Sequence, residues 1–313
     1  MKITARCTGR KLSTGPLPFS EKFTILHKGI ANTLNIVRAV RNIGLTALLV
    51  AITLLNSSSS FRVIDYRANT SAGSLPPGDS KVDVVVIDAG HGGHDNGTHG
   101  RVLKEKDLAL KIALKVGSYI EKNVPGVKVI YTRKDDTYIA LDERAAIANK
   151  NKADLFICIH ANANPNTKAF GTETFVMGLH KDEGNLAIAQ RENSVILMDE
   201  NYEERYEGFN PNSPESYILF TLTQSAYQES SLKFAAKVES QFKVRAGRQS
   251  RGVKQAGFVV LWRTTMPSVL IETGFLTNST EEKFLAGDEG QELIASGIYR
   301  AFKEYKSDVE SIN

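Results

Sequence analysis

From residue 82 onward, hydrophobic residues alternate between short β-branched runs and longer stretches with a helical period. Residues 82–88 form a nearly continuous apolar run, which is typical of a strand buried on both faces. An apolar residue recurs every four positions from Leu108 to Ile120, and this spacing predicts a helix over about 107–122 with one apolar face. The alternation predicts an α/β domain over residues 82–308, with a mostly parallel central sheet between two layers of helices.

The same pattern predicts the remaining elements. The other predicted strands are 127–132, 154–160, 171–177, 253–261 and 268–275, and the other predicted helices are 141–150, 229–244, 279–286 and 289–306. Residues 181–228 break the alternation with a dense acidic patch and an Asn-Pro-Asn-Ser-Pro turn at 210–214. Because loops beyond about 12–15 residues are uncommon in compact domains unless they are functional or disordered, we interpret residues 181–228 as an inserted, partly helical lid. We call this segment the insert.

The amino-terminal part of the chain has a different pattern. Residues 43–55 form an uncharged apolar run, with Arg38 and Arg41 before it and four serines soon after it. This layout predicts that residues 1–60 are a secretory signal peptide or a retained membrane anchor, followed by a linker at 61–81. A buried core helix is the alternative for an apolar run of this length. Export would place the body of the chain in the periplasm or cell envelope, because the basic flank stays on the cytoplasmic side.

The charge distribution argues against a nucleic-acid partner. The formal net charge is +4, but residues 1–42 hold eight Lys or Arg and one acidic residue. The remaining chain therefore has 31 basic and 34 acidic residues. Phosphate binding needs concentrated Lys and Arg, so the mildly acidic body predicts no nucleic-acid groove.

Three residues with metal-ligating side chains lie next to predicted strand ends. His91 follows the first strand, Glu105 begins the next helix and His160 ends the third strand. Because ligands bind at the carboxyl ends of strands in open α/β sheets, we expect these side chains to meet. Two imidazoles and one carboxylate are the ligands of a catalytic zinc site with an open position, so we predict a Zn²⁺ cofactor. Spacing alone leaves His94 and His99 as alternative ligands.

Glu272 is the fourth candidate, because it interrupts the apolar run of the strand at 268–275. A buried carboxylate is costly unless its position is required. As a general base it would take a proton from the attacking water and return it to the leaving nitrogen, and burial would usefully raise its pKa. A structural salt bridge is the alternative. Arg133, Arg144 and Arg263 are candidate partners, or candidate clamps for a substrate carboxylate.

The candidate residues belong to four separated motifs. These are Val-Ile-Asp-Ala-Gly-His-Gly-Gly at 86–93, Glu105 ahead of a helix, Ile-His-Ala-Asn at 159–162 and Pro-Ser-Val-Leu-Ile-Glu-Thr-Gly-Phe-Leu-Thr-Asn at 267–278. Together they resemble the zinc-dependent N-acetylmuramoyl-L-alanine amidases of the amidase_3 family, in the same order and over about residues 83–304.

The resemblance implies both ligands and reaction. It implies that His91, Glu105 and His160 bind zinc and that Glu272 is catalytic. The implied reaction is hydrolysis of the amide between the lactyl group of N-acetylmuramic acid and L-alanine of peptidoglycan. It would take place on the cell-wall side of the membrane, in wall remodelling or daughter-cell separation.

The insert adds an expectation of control. Division-associated members of this family carry an insert after the fourth strand that blocks the active site with a helix, sometimes through a glutamate on the zinc, and residues 181–228 resemble it. We hypothesise that Glu203, Glu204 or Glu207 supplies the blocking carboxylate, with a merely solvated helix face as the alternative. Release would require an activator protein that displaces the insert.

One position departs from the family pattern. The family usually has Ser before the Ile-His-Ala-Asn motif, whereas this chain has Cys158. Because alternate residues of a strand share a face, Cys158 lies on the face of His160. It is therefore either close to the metal or a small buried thiol.

Two other functions remain open from the residues alone. A zinc carboxypeptidase of related architecture would keep the metal and the fold but cleave a peptide bond. A wall-binding or scaffolding protein that has lost catalysis is the alternative from a different class. The presence of three ligand types together with Glu272 argues against it.

Overall fold

The computed structural model describes residues 81–221 and 226–311. The predictions for residues 1–60 and, apart from Lys81, for the linker at 61–81 lie outside the described residues. Within the described ranges, no helix combines the length and the apolar composition that a membrane crossing requires.

A mixed six-stranded sheet forms the centre of the domain. Its strands are β1 (Val84–Ala89), β2 (Lys128–Tyr131), β3 (Leu155–Asn162), β4 (Thr172–Met177), β5 (Ser250–Ala256) and β6 (Ser268–Phe275). The strand order is β2-β1-β3-β6-β4-β5, and every neighbouring pair is parallel except β4 and β6. The antiparallel pair places the start of β4 at the edge of the sheet where β1, β3 and β6 end.

Helices cover both faces of the sheet, so the predicted three-layer α/β fold is confirmed. The helices are α1 (Glu105–Asn123), α2 (Leu141–Lys150), α3 (Glu183–Asn193), α4 (Tyr202–Arg205), α5 (Pro214–Thr221), α6 (Gln228–Val244), α7 (Val259–Trp262), α8 (Ser279–Ala286) and α9 (Asp288–Glu310). A 3-10 helix at Ser194–Met198 follows α3. Helices α1, α6 and α9 pack on one face. Helices α2, α3 and α7 pack with the 3-10 helix on the other face.

The two central strands are buried along their whole length. Every residue of β3 and of β6 is buried, because helices lie on both sides of them. Ile157 and Ile159 face the α1, α6 and α9 layer, whereas Phe156 and Cys158 face the opposite layer. His160 therefore projects, like Cys158, towards the face that the insert covers.

The predicted strand at 253–261 is wrong in its second half. Strand β5 ends at Ala256, and the apolar residues that follow form the short helix α7. The main-chain N–H of Val259 at the start of α7 donates to Oδ1 of Asn193 (2.9 Å). A short apolar run fits a buried strand and a buried helix equally well, and the contact with Asn193 decides between them only in the folded chain.

The described residues of the insert, 181–221 and 226–228, are partly helical, as predicted, whereas their role as a lid stays a prediction. The insert contributes α3, the 3-10 helix, α4 and α5, and it packs on the same face of the sheet as α2 and α7. Ile196, Tyr206 and Tyr217 are fully buried in this layer. The insert is thus a folded part of the domain that lies over the sheet face of His160.

Candidate active site

A tight loop after β1 carries His91 to the end of the sheet. His91 has a positive φ of 61°, and Gly92 and Gly93 follow with φ of 128° and 58°. Gly90 allows the close approach of the next strand, because a Cβ at this position would lie 2.4 Å from Nε2 of His160. The Ala-Gly-His-Gly-Gly sequence is therefore the local requirement for bringing the two imidazoles together.

Two buried arginines hold this loop. Arg144 donates to the Asp88 carboxylate (3.0 Å) and to the main-chain oxygen of His91 (2.8 Å), and Arg133 donates to the main-chain oxygen of Gly90 (2.7 Å). Arg263, in contrast, pairs with Glu207 in the insert. These three arginines therefore have other partners than Glu272, so the alternative of a structural salt bridge between Glu272 and one of them is not what the structure shows.

Four buried side chains converge beside the loop. His91, Glu105, His160 and Glu192 each offer one ligand atom, and these four atoms all lie within 4.8 Å of one another. Glu105 Oε1 is 3.1 Å from the His91 nitrogen and 3.0 Å from the His160 nitrogen. Glu192 Oε2 is 3.2 Å and 3.1 Å from the same two atoms. The structure thus brings the three predicted ligands together and adds Glu192.

The four donor atoms fit a metal ion. Tetrahedral zinc with bonds of about 2.0 Å separates its ligand atoms by about 3.3 Å. The four distances between a histidine nitrogen and a glutamate oxygen are close to this value. Nε2 of His91 and Oε2 of Glu192 are buried without a hydrogen-bond partner, although such atoms are normally paired. The other nitrogen of His91 contacts Asp95 Oδ2 (2.7 Å), which is the usual outer partner of a metal-binding histidine.

The electrostatics of the cluster follow from two buried carboxylates beside two imidazoles. Burial opposes charge on His91, but Glu105 and Asp95 outweigh it and raise the pKa of His91 well above its ordinary value. Burial likewise raises the pKa of Glu105, but His91 and His160 lower it to about 2. The pKa of Glu192 also falls well below its usual range, against the effect of burial, because Arg191 and His160 stabilise the charged form. Both carboxylates are therefore available as anionic ligands at neutral pH.

Glu272 lies next to this cluster on the neighbouring strand. It is paired in register with His160, and its side chain is fully buried. Neither carboxylate oxygen has a hydrogen-bond partner, and Nη2 of Arg191 is 3.7 Å from Oε1. Burial and the nearby carboxylate of Glu192 raise the pKa of Glu272 well above its usual range. An unbonded carboxylate with a raised pKa is suited to accept and return a proton.

The alternative ligands lie elsewhere. His94 packs against the ring of Tyr138 at 4.1 Å between centroids, and His99 is exposed. Cys158 is buried, and its Sγ donates to Oδ2 of Asp88 (2.9 Å). Burial and the Asp88 carboxylate raise the pKa of the Cys158 thiol to about 12, so it stays protonated. Cys158 is thus a small buried thiol.

The glutamate at the cluster is a different one from those expected. Glu203, Glu204 and Glu207 are all exposed, and Glu207 pairs with Arg263, whereas Glu192 is buried among the metal-ligating atoms. The glutamate that the insert places at the cluster is therefore Glu192, and the three predicted glutamates lie away from it. Sequence reasoning followed the density of acidic residues in the insert. The useful signal was helical periodicity, because Glu192 shares the buried face of α3 with Ile188 and Ala189.

The fold and the site together define a class of enzyme. A cluster of two histidines and a glutamate that fits a metal ion, beside a buried carboxylate at the carboxyl edge of an α/β sheet, is suited to metal-assisted hydrolysis. The chain belongs to the Amidase_3 family, described as N-acetylmuramoyl-L-alanine amidase, whose sequence pattern matches residues 85–304.

Individual relatives support the same assignment. The chain is 34% identical to N-acetylmuramoyl-L-alanine amidase AmiA of Escherichia coli K12, over 87% of this chain and 92% of that protein. It is also 34% identical to AmiC of E. coli O6:H1, where the match covers 72% of this chain but about half (53%) of AmiC. Hydrolysis of the amide between N-acetylmuramic acid and L-alanine in peptidoglycan, predicted above, is thereby confirmed as the activity of the family.

A solved structure also has a similar fold. The CwlD amidase from Clostridioides difficile, determined in complex with the GerS lipoprotein, aligns with a TM-score of 0.53 and 27% sequence identity. The alignment covers 72% of this chain and 99% of that one. The six-stranded sheet with its flanking helices is therefore the fold of an amidase.

Proposed function

We propose that this amidase is a zinc enzyme in which His91, Glu105 and His160 hold the metal and Glu192 closes the site. The observation that carries the proposal is the set of four buried side chains in which each imidazole nitrogen lies 3.0–3.2 Å from both carboxylates. A bound zinc ion would lower the pKa of a water molecule towards neutrality and polarise the carbonyl of the amide.

Glu272 acts as the proton carrier. Its carboxylate oxygens have no hydrogen-bond partner, and the residue is paired with His160 on the neighbouring strand. The raised pKa of Glu272 suits a group that takes a proton from water and gives it to a nitrogen. The C–N bond then breaks, the lactyl carbon gains the water oxygen, and the L-alanine nitrogen leaves as an amine. Arg191 would oppose this function, because its guanidinium group lies 3.7 Å from the Glu272 carboxylate.

Glu192 would supply the fourth ligand of a bound zinc ion, at the position that a catalytic zinc site keeps open for water or substrate. A carboxylate there would exclude both, and we infer from this that α3 in its described position closes and inactivates the site. Helix α3 is the blocking helix of the insert. Opening requires a partner that binds the insert and moves α3 away from the sheet. The CwlD amidase, which has a similar fold, was determined in complex with the GerS lipoprotein, and this supports a protein partner for this chain.

Export completes the proposal. Peptidoglycan lies outside the cytoplasmic membrane, so the domain must be exported to reach it. We assign this role to residues 1–60, as a signal peptide or anchor with a basic flank, and we place the domain in the periplasm or cell envelope.

The test is the rate and the chemistry of peptidoglycan hydrolysis by the zinc-loaded full chain and its Glu192→Ala variant. We expect Glu192→Ala to release stem peptides with a free L-alanine amino terminus at least ~10-fold faster than the unchanged chain. A tenfold change corresponds to ~1.4 kcal/mol lost from the free energy that favours the closed form. Glu203→Ala is the matched control, because it removes an exposed glutamate from the same insert.

The outcomes separate the alternatives by product. Shortened stems that remain attached to muramic acid would indicate a carboxypeptidase instead. Equal rates for Glu192→Ala and Glu203→Ala would contradict closure by Glu192. A scaffolding role would be supported if Glu272→Gln left every activity of the Glu192→Ala variant intact.

A further inference from the structure

Arg191 precedes Glu192 on α3 and lies over the Glu272 side of the site. Its Nη1 donates to the main-chain oxygen of Ala163 (3.1 Å), and its Nη2 donates to Oδ1 of Asn162 (3.1 Å). The same Nη2 is 3.7 Å from Oε1 of Glu272 and 2.8 Å from Oε1 of Glu192. The Arg191 guanidinium group therefore lies beside three acceptor oxygens. They belong to Asn162 at the end of β3, to Ala163 directly after it and to Glu272 on β6.

The charges of Arg191 and Glu192 match the charges of the two reaction products. Hydrolysis leaves a carboxylate on the lactyl group and an amine on L-alanine, and an α-amine takes a proton below a pH of about 8. In the structure, the Glu192 carboxylate lies among the metal-ligating atoms and the Arg191 cation lies beside Glu272. Products formed at this site would have their carboxylate and their ammonium group in the same arrangement.

The Asn162 side chain is held so that its oxygen faces this position. Its Nδ2 donates to Oε2 of Glu173 (3.1 Å), and a carboxylate can only accept there. The other oxygen of Glu173 accepts from Lys254 (2.8 Å) and from Arg251, so this carboxylate is itself fixed. With the amide nitrogen bonded to Glu173, Oδ1 of Asn162 accepts from Arg191 (3.1 Å) and from the main-chain N–H of Ala163 (2.7 Å).

We propose that Oδ1 of Asn162 and the main-chain oxygen of Ala163 form, with Glu272, the subsite that binds the amino group of the departing L-alanine. Arg191 fills this subsite in the closed form, so α3 blocks the enzyme as a mimic of both products. This inference rests on the proposed function, because it takes α3 as the blocking helix. In the alternative, Arg191 only balances the charge of Glu192, and Asn162 then has no part in binding the amino group.

The test is calorimetric binding of two synthetic peptides to the zinc-loaded full chain carrying Arg191→Ala and Glu192→Ala. The probes are L-alanyl-D-isoglutamine with a free amino group and the same dipeptide with an acetylated amino group. We expect the free amine to bind at least ~10-fold more tightly at pH 6.5, because a charged donor meets three acceptors. The preference should fall at pH 9.5, where most of the free amine has lost its proton.

Asn162→Ala in the same background should reduce the preference to about twofold or less. Asn164→Ala is the matched control, because it removes the same side chain two residues further along. Oδ1 of Asn164 accepts only from the nearby main-chain N–H of Asn166 among the described contacts, so the preference should persist. Zinc binding by each variant, measured in parallel, reports whether the site still folds.

Equal affinity of the two peptides, or no measurable binding of either, would overturn the proposal. An unchanged preference in Asn162→Ala would also overturn the role of that residue. If Asn162→Ala fails to bind zinc, the acetylation and pH comparisons in the background protein decide. The proposed function fails separately, since Glu192→Ala could leave hydrolysis unchanged while the peptide preference still depends on Asn162.

Discussion

The two walls of the candidate site are built in different ways. His160 and Glu272 project from β3 and β6, whose residues are all buried and joined by a main-chain ladder. Glu105 is equally fixed, since its carboxylate accepts from the main-chain N–H groups of Thr98 (2.8 Å) and Ala161 (2.9 Å). Burial and main-chain hydrogen bonds therefore fix this wall, which we call the sheet wall.

The opposite wall, formed by Arg191 and Glu192 on α3, depends on side-chain contacts. Helix α3 begins at the cap of Asp182, and the insert is joined to the domain through pairs such as Arg205 with Asp142 (2.7 Å). The insert also exposes large apolar side chains, among them Met198 and Ile218. A partner that contributes a few kcal/mol of differential binding can move such a segment, whereas moving the sheet wall would unfold the domain.

Removal of the metal from the sheet wall is expected to have the largest effect on hydrolysis. Chelation should abolish hydrolysis by the Glu192→Ala variant, and added zinc should restore it, because the three proposed ligands would hold the metal that activates water. Bound zinc should also raise the melting temperature, since it binds the folded chain. The measurement is activity and thermal unfolding of the chelated and reloaded protein. Activity that survives complete removal of metal would contradict the assignment.

Glu272→Gln should reduce hydrolysis by about 10³-fold, because it removes the proposed proton carrier and leaves the shape of the side chain unchanged. Zinc content should stay the same, which separates catalysis from metal binding. Glu239→Gln is the matched control. Glu239 is a buried glutamate on α6, bonded to Thr172 and Thr174, so its replacement should leave activity within about twofold. Equal losses of hydrolysis in Glu272→Gln and Glu239→Gln would show that replacing any buried glutamate lowers activity, and would contradict a specific role of Glu272.

Asp88→Asn tests the scaffold of the sheet wall. Burial raises the pKa of Asp88, but Arg144 and two side-chain hydrogen bonds outweigh it, so the net pKa is lowered. We expect the variant to lose about 3 kcal/mol of unfolding free energy at pH 7, because the buried Arg144 loses its counter-ion. Denaturant unfolding gives the value. Asp308→Asn, at an exposed pair, should change it by less than about 1 kcal/mol.

The pH dependence of this difference has a definite sign. A carboxylate with a lowered pKa stabilises the folded state above its unfolded pKa of about 3.9, and the contribution is lost as the pH falls through the folded value. The gap between the unchanged chain and Asp88→Asn should therefore be full at neutral pH and narrow below about pH 4. A gap that widens on acidification would contradict the ionised state of Asp88.

The smallest effect is expected where the insert meets the domain. Arg205→Ala removes partly exposed ion pairs with Asp142 and Glu143, each worth about 0.2–1 kcal/mol. If these pairs favour the closed form, hydrolysis by the otherwise unchanged chain should rise about two- to fivefold. Lys233→Ala removes an exposed pair on α6 and should leave the rate unchanged. A rise with Lys233→Ala as well would point to general loosening.

The sequence by itself determined the sheet wall. The apolar run of each inner strand and the four-residue period of α1 located these elements to within a few residues, because buried strands and amphipathic helices have distinct periods. Strand ends in an open α/β sheet share one edge, so His91, His160 and Glu272 could be placed together from their positions alone. Their roles as ligands and base remain predictions.

Only the tertiary structure decided which residues face the sheet wall. Glu192 and Arg191 lie about 30 positions from the end of β3 along the chain, and no local pattern states how the insert folds back over the sheet. The acidic patch around Glu203 drew attention to the wrong helix, because charge density marks solvated surface as readily as a site. Helical period gives the buried face of α3 but not the surface against which it packs, and that choice depends on long-range contacts.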